Sequence, residues 1–104
     1  NLNDNLKTIK VPKFGIWGMI KNKNPDLFIQ QFKNVFEKII IVPIEGEANT
    51  LPTDLLMRIA KKNNFNVGNS SDIHSACKKI SNNQSKTIVF FGSFYLAGNV
   101  LRKN

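Results

Sequence analysis

Three short stretches place polar residues where an apolar run has just ended: GMIKNKN (residues 18–24), PIEGEANT (43–50) and GSFY (92–95). In the last, Gly92 permits a sharp turn and Ser93 carries a hydroxyl able to cap a following helix, whose first N–H groups and dipole favour a carboxylate or a phosphate. Lys21 and Lys23 can reach a bound anion from the first stretch, and Glu45 and Glu47 can hold magnesium or a substrate amine from the second. Each has a plainer reading as well: a helix cap, solvated loop lysines, surface carboxylates. His74 and Cys77 read as structural, one near a helix start and the other on an apolar helix face. One cysteine and one histidine exclude an internal disulfide and a Cys/His zinc set. There is no phosphate loop, GIWG is too short and bulky for a dinucleotide fingerprint, and Ser93 stands in no G-x-S-x-G elbow. No complete catalytic apparatus is visible.

These loops need a scaffold, and the intervening segments supply one. FGIWGMI (14–20) is a short apolar run bounded by polar residues, as a buried strand is. Asn24 as N-cap, Pro25 at the first helical position and Phe28, Phe32, Val35 and Phe36 on one face predict an amphipathic helix. KIIIVP (38–43) is β-branched and free of polar interruption, which suits a parallel strand covered on both faces. Pro52 opens a helix carrying Leu55, Leu56, Ile59 and Ala60, and Phe65 and Val67 predict a short edge strand. Ser71 and Asp72 start a helix with Ile73, Ala76, Cys77 and Ile80 on one face; residues 86–91 form a third clear strand, and a last helix is expected over 95–102. Alternating strand and helix imply right-handed crossovers: a three-layer α/β, Rossmann-like domain with a mainly parallel sheet and helices on both faces.

The chain of 104 residues, 41% hydrophobic, suits one domain, assigned to residues 14–104 after a polar segment 1–13. The apolar run beginning at Ile39 falls far short of the roughly 18 residues of a membrane span, and the polar start lacks the apolar core of a signal peptide. A cytoplasmic location without a membrane partner is expected. A net charge of +8 invites a polyanion, but the lysines are scattered in singles and pairs, and the abundance of Asn, Lys and Ile matches the codon bias of an AT-rich genome. A nucleic-acid surface is therefore not expected.

Taken in order, GIWGMIKNKNP, VPIEGEANTLP and VFFGSFYLAGNVL resemble three motifs of the C-terminal domain of the folylpolyglutamate synthase and dihydrofolate synthase family, part of the Mur ligase superfamily. The first is similar to the family's G-M-x-x-x-K-D loop, the second to V-P-I-P-G-E-A-N-x-L-P, the third to G-S-[LF]-Y-L-x-G-E-V. The likeness runs from about residue 14 to residue 102. It implies an ATP-dependent ligase that joins L-glutamate to a dihydropteroate or folate carboxylate through an acyl phosphate. It further implies that Gly92, Ser93, Lys23 and Tyr95 face the glutamate and ATP side of a cleft, and that ATP and Mg2+ are bound mainly by a larger N-terminal ATPase domain, with no catalytic residue in this chain.

Some positions depart from the pattern. The family's Asp-Gly-Ala-His-Asn-Pro motif has no counterpart, Asn22 and Asn24 stand for acidic residues, and Asn99 replaces the last glutamate. The chain thus reads as a fragment lacking the first strand and helix of its domain, inactive alone and able to self-associate through an open sheet edge. Two further readings stay open: a stand-alone α/β anion-binding or regulatory module with its site at Ser93, and a basic nucleic-acid binder.

Overall fold

In the computed structural model, which describes Leu6 and residues 10–21, 24–44, 46, 48–82 and 84–92, four strands form one sheet in the order β3, β2, β1, β4. The strands are β1 (Lys13–Gly18), β2 (Lys38–Ile41), β3 (Val67–Asn69) and β4 (Thr87–Gly92), and all neighbours run parallel. The helices are α1 (Pro25–Gln30), α2 (Thr53–Lys62) and α3 (Ile73–Ile80). The expected α/β architecture is present, with the short strand near Val67 at one edge.

The two faces of the sheet carry separate cores. Ile39 and Ile41 of β2, Trp17 of β1 and Phe91 of β4 point to one side, where α1 and α2 cover them with Ile29, Leu56 and Ala60. Ile16, Ile40 and Val42 point to the other side and meet Ile73, Ala76 and Ile80 of α3. Alternation within a β-strand explains the division, and burial on both sides explains why the residues of β2 after Lys38 are all isoleucine. Leu6, from the polar opening segment, is itself buried in the first core.

Local chemistry sets the helix ends. Asn24 caps α1 by accepting from the Leu27 N–H at 3.2 Å, with Pro25 next in line; Asp72 caps α3 by accepting from the Ser75 N–H at 2.7 Å. The first helix is shorter than its apolar spacing predicts. It stops at Gln30 and continues as turns through Val35, where the backbone bonds span three residues (Gln31 N to Phe28 O, Phe32 N to Ile29 O, Lys33 N to Gln30 O), and Asn34 at φ 65, a left-handed conformation that asparagine tolerates and a helix does not, bars any return to helix. β1 also ends earlier than expected: Met19 and Ile20 leave the sheet to pair with the loop after β2.

One polar cluster ties α1 to α2. The Asp26 carboxylate accepts from Lys62 Nζ at 2.8 Å, Asn63 Nδ2 at 2.9 Å and Gln30 Nε2 at 3.0 Å. The Lys62 bond above all, then those from Asn63 and Gln30, holds the Asp26 pKa down from 3.8 to about 2. A depressed folded-state value means that the cluster contributes fully above pH 3.8 and loses its contribution as pH falls toward 2. Asp26→Asn is therefore expected to lower the Tm near neutral pH, with the gap to wild type closing between those two values; thermal melts across the range check this, and a gap that stays constant would assign the effect to something other than the charge.

Candidate functional site

The parallel register brings the carboxyl ends of β1, β2 and β4 to one edge, where ligand crevices of open α/β sheets lie. Gly18 is directly paired with Gly92, so the chain leaves β1 and β4 side by side. Trp17 O accepts from Val42 N at 3.0 Å and binds the end of β2 to the same edge. All three polar loops identified in the sequence thus leave from one place.

The first two loops are joined into a ribbon. Lys21 N donates to Asn49 O at 2.8 Å and Leu51 N to Met19 O at 2.7 Å, around an antiparallel bridge between Ile20 and Thr50. The Thr50 hydroxyl accepts from Ile44 N at 3.0 Å, closing the second loop on itself. Thr50 was not singled out by sequence reasoning. Its only advance signal is a hydroxyl amid loop residues, which specifies no partner until the two loops are seen together.

At Gly92 the backbone has φ +118, and a β-carbon there would lie 2.0 Å from the Gly18 carbonyl oxygen. Gly18 is confined in turn, since a β-carbon on it would stand 2.8 Å from Val42 O. Only glycine allows β1 and β4 to end this close together with the backbone at this φ. The Trp17 indole lies against Gly92, and its Nε1 is buried without an acceptor among the described residues. Beyond β2 and β3 a cavity of about 220 Å³ is lined by Pro43, Ser71, Asp72 and Ile73, at the capped start of α3.

Of the residues expected at the site, Gly92 is the last residue of β4, at this edge. Ser93, Tyr95 and Lys23 lie outside the described residues, as do Glu45, Glu47 and the helix expected over 95–102. Lys21 is exposed on the ribbon. His74 is exposed, and Cys77 packs partly buried against the second core, where desolvation raises its thiol pKa and leaves it a poor nucleophile. Among the described residues no group of three His, Cys, Asp or Glu side chains is placed to hold a metal ion. None of their helices is long and apolar enough to cross a membrane.

This fold matches several solved structures. FolC of E. coli in complex with ADP, without folate substrate, superposes with a TM-score of 0.81 at 18% identity, over 98% of this chain and 25% of that one. Folylpolyglutamate synthase from Thermotoga maritima gives 0.73 at 23% identity, over 88% and 21%. The Mycobacterium tuberculosis folylpolyglutamate synthase complexed with ADP and AMPPCP gives 0.77 at 14% identity, over 98% and 26%. The chain therefore spans about a quarter of the length of the structures it matches. No protein-family model and no curated protein matches the sequence.

The geometry at Gly92 yields a comparison of two glycines. Gly92→Ala has both a forbidden φ and a backbone clash, whereas Gly46→Ala, at φ +77, meets nothing within 4 Å. Gly46→Ala is expected to cost about 1 kcal/mol, while Gly92→Ala should exceed the roughly 1–3 kcal/mol of backbone strain alone. Equal denaturant midpoints for the two variants would contradict the close approach of β1 and β4.

Proposed function

We propose that this chain is the C-terminal α/β domain of an ATP-dependent ligase that joins L-glutamate to a folate-type carboxylate, as folylpolyglutamate and dihydrofolate synthases do. The observation that carries the reading is a convergence: three loops bearing the family's motifs leave one edge of a sheet whose fold superposes on FolC at a TM-score of 0.81. The E. coli protein was solved with ADP, and also with DHPP and ADP. The proposed cytoplasmic ligase uses ATP and Mg2+, and both belong chiefly to a preceding ATPase domain. The sequence has no phosphate loop of its own.

The chain's own task is positioning. ATP would activate the folate carboxylate, and this domain would present the incoming amino acid to it. In this reading the turn at Gly92 directs the Ser93 hydroxyl and the N–H groups that follow toward the cleft, where they receive the anionic carboxylate of glutamate. Lys23 and Tyr95 would flank it, Lys23 adding positive charge. Charge-assisted hydrogen bonds of this kind orient an amine for attack and fix the substrate without any covalent role.

Ser93→Ala in the full-length enzyme tests the assignment. Removing one hydrogen bond to a charged group costs about 1.5–3 kcal/mol, or roughly ten- to a hundredfold in the glutamate KM. A helix cap alone costs about 1 kcal/mol of stability and leaves substrate dependence alone. An unchanged glutamate KM beside a lowered Tm would reduce Ser93 to a cap. The 104-residue chain purified alone is expected to show no ATP-dependent glutamate ligation, because phosphoryl transfer relies on a phosphate-cradling apparatus absent from its sequence; measurable product would overturn the division of labour between domains.

A further inference from the structure

We draw no further inference here: the strongest candidate, the outer edge of β4, where Thr87–Gly92 holds no charged residue and has β1 as its one neighbour among the described strands, carries nothing because nothing in the structure shows what covers it.

Discussion

The ring of Phe91 lies on the bare backbone of Gly15, and the placement of the crevice depends on that contact. A β-carbon at Gly15 would stand 2.5 Å from the ring. With none there, Phe91 settles among Phe32, Phe36, Phe28 and Trp17 at centroid separations of 4.9, 5.0, 5.9 and 6.2 Å. Each such pair adds about 0.5–1.5 kcal/mol beyond the area it buries. The cluster joins β4 to β1, α1 and the turns after it, although β4 pairs through its backbone with β1 alone among the described strands. Since Gly92 is the next residue, the aromatic cluster fixes where β4 ends at this edge.

The same economy governs the opposite face and the opposite end. Alternate isoleucines of β2 serve two cores, so the strand is held from both sides and its carboxyl end is rigid at the point where the second loop departs. Hydrophobic packing thus defines one end of the sheet as a place where loops converge. Charge defines the other, because helices that end there favour lysine in their last turns. A small α/β domain therefore presents two chemically unlike ends, one glycine-rich with hydroxyl and amide groups, one with lysines at its helix ends.

Much of this was legible in the sequence. Strand and helix alternation gave the layers, the β-branched run gave the doubly covered strand, and Asn24-Pro25 and Asp72 marked helix starts that the hydrogen bonds bear out. Two kinds of feature were hidden. The early end of α1 is a change to bonds spanning three residues from Gln31 onward, closed by a left-handed Asn34 that the residue type permits but does not announce. The Thr50 bridge and the Asp26 cluster both join residues far apart in the chain, as with Asp26 and Asn63. No local pattern encodes such pairs. Gly92 was recognisable as a turn, yet its tightest constraint is the Gly18 carbonyl on a neighbouring strand, 74 positions earlier in the numbering (92 less 18).

The ribbon formed by the first two loops has a thermodynamic consequence. Two independent loops of this length would sample many conformations and would have to be ordered by whatever they bind, at roughly 1–2 kcal/mol for each residue fixed. Here the bonds between Met19 and Leu51 and between Lys21 and Asn49, together with the Thr50 hydroxyl on Ile44, make that ordering part of folding. That part of the crevice wall is preorganised, so for any ligand received there more of the interaction energy would appear as affinity. It also means that the loops after β1 and β2 respond to a ligand as one body, and a displacement felt at residue 21 is transmitted to residue 49 through a single peptide hydrogen bond.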